Sequence, residues 1–188
     1  FWLKAFRRAP PGSLILRSAA RAVHRHSSMG SGDAPTKGLI FLHGSGDCGQ
    51  GVREWLSGTS GGDFEGRLLA AGVRAVYPDA PTVPYTLAGG AIQSVWFDRV
   101  AMAYEAPEDA QGIARSLELV DGAIDELCAL GIPRSRIAVA GMSMGGCLAL
   151  HAAYGGGRHA GTLGAAACLS SFLAEGSGLD AAARGRLA

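Results

Sequence analysis

The segment "RIAVAGMSMGGCLALHAAY", residues 136–154, constrains the fold of this chain more than any other. A short apolar, β-branched run enters Gly141-Met142-Ser143-Met144-Gly145 and continues directly into an apolar stretch of helix formers. That order predicts a strand (136–141) turning sharply into a helix (144–155). A serine at the tip of such a turn stands clear of neighbouring side chains. Glycines two residues to either side let strand and helix pass closely without Cβ clashes, and the helix N-terminus brings a backbone N–H and partial positive charge beside it. In this setting G-x-S-x-G makes Ser143 the expected nucleophile. The alternative is a tight turn with an idle serine.

A second glycine-rich loop, "LIFLHGSGDCGQG" (39–51), follows an earlier apolar run. Read literally, Gly44 to Gly49 is G-x-G-x-x-G, a dinucleotide fingerprint. His-Gly with a small residue and Gly at a strand end also suits the oxyanion loop of a serine hydrolase. Paired with the 141–146 turn, the loop is expected to offer the Ser45 N–H opposite the Met144 N–H, both acting through the backbone. The dinucleotide reading is weaker: Gln50-Gly51 are read as extending the loop where a helix should start, and Asp79 is only a weak candidate for the ribose-binding acid.

Strand and helix signals alternate along the body. Strands are expected at 38–44, 73–79, 136–141 and within 161–173, and helices at 63–72, 107–130 and 144–155. Asp63 is a possible cap of the first helix. In the long helix Ile113, Leu117, Val120, Ile124, Leu127 and Cys128 form one apolar stripe at spacings of three and four. Pro107 and Glu108-Asp109 suit its first turn, and Gly131 ends it. Residues 80–99 read as a long loop. The pattern predicts an α/β fold, a mostly parallel sheet with helices on both faces.

Composition bounds the partners. At 188 residues and 48% hydrophobic, the chain suits one domain. Its net charge of +1 hides an asymmetry: residues 1–28 carry six Lys/Arg and no acid, leaving eleven basic against sixteen acidic residues. A mildly acidic body gives no support for nucleic-acid binding. Residues 1–36 are read as an N-terminal extension, presequence-like over 1–28 or translated from upstream of Met29, and 37–188 as the domain. No apolar run is long enough for a membrane span. The four cysteines show no C-x-x-C pair and no metal-ligand spacing with histidine. Three are expected in apolar surroundings, with Cys48 exposed in its loop. A reducing, cytoplasmic location is expected, or a mitochondrial one if the presequence reading holds. Neither cofactor nor metal is expected.

Five segments, "LIFLHGSGDCGQG", "YPDAPTVPYTLAGG", "VWFDR", "GMSMGGCLALHAAY" and "LSSFL", together resemble the acyl-protein thioesterase/carboxylesterase family, in its order and spacing from about Leu39 to Leu173. The resemblance implies an α/β-hydrolase fold and hydrolysis of acyl thioesters and esters, on acylated protein or small ester substrates. It places Ser143 at the nucleophile position, with Ser45 and Met144 at the oxyanion positions. Trp96-Phe97-Asp98 matches a motif beside the cleft, although core packing for the two aromatics and a loop-capping or ion-pairing role for Asp98 is the favoured reading. Short-chain carboxylesterase activity, or a non-catalytic acyl- or partner-binding role, are the competing readings.

A serine hydroxyl needs a base, and the base an orienting carboxylate. In this fold they follow in the order Ser, acid, His. After Ser143 the acids are Glu175 and Asp180, and both histidines, His151 and His159, precede them. His151 is expected at the helix surface or core edge, His159 in a loop at the far end of that helix, and His43 as an organiser of the oxyanion loop. The expectation is therefore a C-terminally truncated hydrolase domain, inactive by itself, whose "LGAAACLS" strand leaves an exposed edge.

Overall fold

The computed structural model describes residues 34–187. The readings of 1–28 and nearly all of the extension 1–36 lie outside them. Within the described residues β1 (Lys37–Leu42), β2 (Val73–Val76), β5 (Ile137–Met142) and β6 (Ala165–Leu169) form one sheet in the order β2-β1-β5-β6. Every pairing is parallel, with Ile40 opposite Val139 and Gly141 opposite Cys168. The chain crosses between strands through α1 (Gly49–Thr59), α2 (Phe64–Ala70), α3 (Ala110–Ala129) and α4 (Met144–Tyr154), and α5 (Gly178–Leu187) follows β6.

The two faces of β1 separate the core. Ile40 and Leu42 pack with α3 and α4, in a cluster holding Val120, Ile124, Leu127, Val139 and Leu148. Phe41 faces the other way, onto Val52 and Leu56 of α1, with Leu39 and Phe64 against the same cluster. Successive strand residues point to opposite faces, so a run apolar at every position is what two helical layers require. The α3 stripe is buried as its spacing predicts, and each of its fully buried members contributes roughly 1.5–3 kcal/mol.

Besides α5, where the sequence reading placed no helix, three features depart from it. Helix α1 occupies residues read as loop: it starts at Gly49, where Cys48 Sγ accepts the Gly51 N–H at 3.3 Å as its cap. The stretch read as a long loop contains a hairpin, β3 (Thr82–Tyr85) antiparallel to β4 (Ala91–Ser94), closed by a 3₁₀ turn and by Gly89 and Gly90, both at positive φ. Helix α3 begins three residues later than expected. Asp109 caps it by accepting the Gly112 N–H at 2.9 Å, so Pro107 and Glu108 precede the helix. Asp63 caps α2 as expected, through Gly66 N at 3.0 Å.

The cysteine expectation also needs correcting. Cys147 is buried and Cys128 half-buried, but Cys168 is exposed on β6, the edge strand, along with Ala165, Ala167 and Leu169.

Candidate active site

Ser143 sits between the last residue of β5 and the first of α4. Its backbone, at φ 52° and ψ −120°, is one of two non-glycine positions at positive φ among the described residues, with Ser170 the other. The chain holds this conformation from several sides. Ser143 N donates to Leu169 O at 2.9 Å, and Ser143 O accepts from Ser171 Oγ at 2.8 Å and from the Gly146 and Cys147 amides. Two glycines make the close approach possible. A Cβ on Gly141 would collide with the Gly145 carbonyl, and one on Gly145 with the carbonyl oxygens of Leu42 and His43. These contacts are the physical content of the G-x-S-x-G spacing.

The same Gly145 contact ties the turn to the end of β1. A Cβ built on Gly44 would stand 3.6 Å from Ser143 Cβ, so the loop beginning at Gly44 faces the serine across one van der Waals contact. Met144, first residue of α4, has no intrahelical acceptor for its N–H. Ser143 and Met144 are thus adjacent at the β5–α4 turn, and Ser45 is the residue after Gly44 in the facing loop.

His43 fixes the loop. It is fully buried; its Nε2 accepts the Ala80 N–H at 3.0 Å and its Nδ1 bonds Gly44 O at 2.7 Å. An accepting Nε2 leaves the proton on Nδ1, which therefore donates. Trp96 packs on the ring with centroids 4.9 Å apart and donates from Nε1 to His43 O at 2.8 Å. Gly46 N donates to Ser94 O at 2.8 Å, so the hairpin braces the loop from its other side. Ser45 also hydrogen-bonds the Tyr85 side chain. Burial pushes the Tyr85 phenol up, against the opposing pull of that bond.

Trp96 and Phe97 are core residues, and Asp98 caps the turn after β3 by accepting from Thr86 N at 2.8 Å and Thr86 Oγ1 at 2.5 Å. The packing reading of this motif therefore describes it. Partial burial pushes the Asp98 carboxyl up, but bonds from Thr86 Oγ1, Thr86 N and Arg99 N outweigh it and hold the group below the usual carboxylate range.

The dinucleotide reading fails on different grounds from those first given. A helix does begin at once after the glycine loop. However, Asp79 Oδ1 accepts Gly49 N at 2.7 Å and Asp47 Oδ1 accepts Cys48 N at 2.8 Å. Carboxylates thus occupy the helix N-terminus where a pyrophosphate would have to sit.

No described histidine serves Ser143. His43 is committed to Ala80 and Gly44. His159 is buried and bonds Asp125 Oδ1 at 2.9 Å, away at the α3 side of the loop after α4. His151, expected at the helix surface or core edge, is 4% exposed, and its Nε2 bonds Glu108 Oε1 at 3.1 Å.

One group on α4 was missed in the sequence. Cys147 and His151 lie four residues apart, the spacing that puts both on one helix face, so metal-ligand spacing with a histidine is present. Burial, reinforced by the Glu108 charge, pushes the Cys147 thiol up to about 12.

Known proteins place this arrangement. The model of the phospholipase/carboxylesterase family matches residues 26–183. Lysophospholipase-like protein 1 of Mus musculus is 44% identical over 116 residues, 62% of this chain and 47% of that protein. Acyl-protein thioesterase 1 of Schizosaccharomyces pombe is 36% identical over 120 residues, 63% of this chain and 50% of its own length. A probable carboxylesterase of Oryza sativa is 34% identical over 178 residues, covering 90% of this chain and 59% of that one. The chain thus spans about half the length of the curated relatives it matches. Among solved structures, Arabidopsis thaliana SOBER1 superposes with a TM-score of 0.59 at 27% identity, over 72% of this chain and 61% of that one. Zea mays acyl-protein thioesterase 2 gives 0.56 at 27% identity, over 75% and 59%. The parallel sheet, the strained serine turn and the facing glycine loop are those of an α/β-hydrolase fold, and the chain belongs to the phospholipase/carboxylesterase family.

Proposed function

We propose that this chain carries the nucleophile and the oxyanion loop of a serine hydrolase of acyl-protein thioesterase type, acting on acyl thioesters of proteins and on small esters. The observation that carries the reading is the Ser143 backbone at φ 52°, held at a strand–helix junction one contact from Gly44. Ser143 Oγ attacks the acyl carbonyl; the Met144 and Ser45 amides receive the negative charge that develops on its oxygen. Such donors are worth about 2.7–4 kcal/mol each to the transition state. Both act through the backbone, so the glycines and His43 that set the loop's path matter more than the side chains of Ser45 and Met144. Relatives named as thioesterase and as lysophospholipase-like support the substrate class.

The described residues supply Ser143 with no base. A serine without one is a weak nucleophile, so residues 1–188 alone are expected to give no measurable turnover. The four cysteines are free, which supports a reducing, cytoplasmic setting, and no described helix is long and apolar enough to cross a membrane.

The test compares residues 1–188 alone with the same residues joined to the C-terminal part of a family relative that supplies an acid and a histidine. A fluorophosphonate probe should label Ser143 in the joined chain, which should hydrolyse a palmitoyl thioester and lose that activity on Ser143→Ala. Ser143-dependent turnover by residues 1–188 alone would overturn the argument about the base. Activity indifferent to Ser143→Ala would overturn the nucleophile. The Oryza sativa relative's name favours a second reading, a carboxylesterase using the same residues. Competition between acetyl and palmitoyl thioesters separates the two.

A further inference from the structure

On the α3–α4 side of the sheet, one turn beyond the serine, lies a group that the hydrolase reading does not use. We propose that Glu108, Cys147 and His151 form a binding site for a borderline-soft divalent metal ion, with Zn²⁺ as the fitting class. Their ligand atoms all lie within 4.8 Å of one another. Cys147 and His151 project from one face of α4, and Glu108 comes from the loop before α3. Thiolate, imidazole and carboxylate together are the donor set of zinc sites and a poor one for Mg²⁺ or Ca²⁺.

Several features mark a built site rather than a chance meeting. Cys147 and His151 are 1% and 4% exposed. Glu108 is already oriented from outside the cluster, because Gly178 N donates to its second oxygen, Oε2, at 3.0 Å. Such outer contacts fix ligand orientation in metal sites. A cavity of about 880 Å³ is lined by Glu108 and His151 together with Ile113, Leu117 and Asp121. It supplies an entry path and room for water as a fourth ligand. Asp121, 6% exposed, is also part of its lining, with Oδ1 unpartnered and Oδ2 accepting the Arg158 N–H at 2.9 Å.

The donor atoms of a tetrahedral zinc ion stand about 3.5 Å apart. Glu108 Oε1 and His151 Nε2 are already at 3.1 Å, so closure needs an inward rotation of the Cys147 thiol by roughly 1 Å. On binding, the thiol proton leaves to solvent, the Nε2–Glu108 hydrogen bond breaks as its proton is exchanged through solvent for one on Nδ1, and His151 ligates through the freed Nε2 as neutral imidazole. The ion would tie the loop before α3 to the helix that begins at Ser143. Ser177 Oγ, 3.5 Å from His151 Nε2, lies at the site's rim.

Co²⁺ titration of the chelator-stripped full chain tests this, since thiolate-to-cobalt charge transfer reports sulfur ligation directly. The expected result is one equivalent bound with that band, displaced by Zn²⁺. Cys147→Ser should abolish the band, and Glu108→Gln should weaken binding by more than about tenfold while keeping it. Replacing Cys48, Cys128 and Cys168 together with Ser should leave it intact. Far-UV circular dichroism establishes folding of each variant. As a second measurement, Zn²⁺ should raise the melting temperature of the parent chain and not that of Cys147→Ser. Absence of the band, its survival in Cys147→Ser, or an equal Zn²⁺ shift in both chains overturns the site.

Discussion

Replacing His43 separates a positioning role from a chemical one. His43→Phe keeps a ring against Trp96 and nearly fills the site, but leaves the Ala80 N–H with no acceptor in a buried position. Gly44 O retains the Asp47 N–H at 3.3 Å, so only one group is orphaned. A buried donor without a partner costs about 1–3 kcal/mol. His43→Ala also removes the ring contact, worth about 0.5–1.5 kcal/mol, and opens a cavity. These terms share one site and do not simply sum; a total of about 3–5 kcal/mol is expected, a large part of the roughly 5–15 kcal/mol that holds a domain together. Urea unfolding followed by tryptophan fluorescence and far-UV circular dichroism measures both variants. The expected order of stability is parent, Phe, Ala, with m unchanged. A Phe variant within about 0.5 kcal/mol of the parent would refute the orphaned-amide reasoning.

Two further outcomes follow from the same geometry. Ser143→Gly should stabilise the chain by about 1 kcal/mol, because glycine escapes the 1–3 kcal/mol strain of φ 52° and forfeits only part of it in chain entropy; a lower melting temperature than the parent contradicts this. Asp98, held below its ordinary range, contributes stability that is present above the unfolded pKa and lost as pH falls through the lower folded value. Asp98→Asn should therefore flatten the loss of stability below about pH 4, modestly because the group is half-exposed, and an unchanged acid limb argues against the Thr86 bonds as its source.

The sequence made the β1, α3, β5 and α4 elements legible because each carries a pattern with one solution: a two-faced apolar run, or a stripe at helical spacing. The approach of the Gly44 loop to the Ser143 turn could be anticipated because the spacing of glycines dictates which backbones approach. Helix α1 was hidden by three glycines and by a cysteine in the capping position, although Val52 and Leu56 stand four apart. The β3–β4 hairpin was hidden by Pro84, which can sit in a two-stranded edge pair but removes the usual strand signal. The late start of α3 was a contest between Pro107 and Asp109 for the first turn, won by the side chain able to accept an amide. Glu108, His151 and Cys147 meet through tertiary packing over about forty residues of chain, and only the i, i+4 half of that meeting could be read in advance.

The serine turn hangs from the outermost strand. Ser143 N is bonded to Leu169 O, and Ser143 O to the Ser171 hydroxyl, so β6 and its exit anchor a strained residue from outside its own helix. An alanine-rich ribbon with one open side therefore acts as the template on which the reactive geometry is cast. Substitutions at 165–171, far from any acyl chain, would register in an activity screen as chemical defects although they alter no reacting group. Sequence tolerance in that ribbon is a measure of how firmly the Ser143 turn is held.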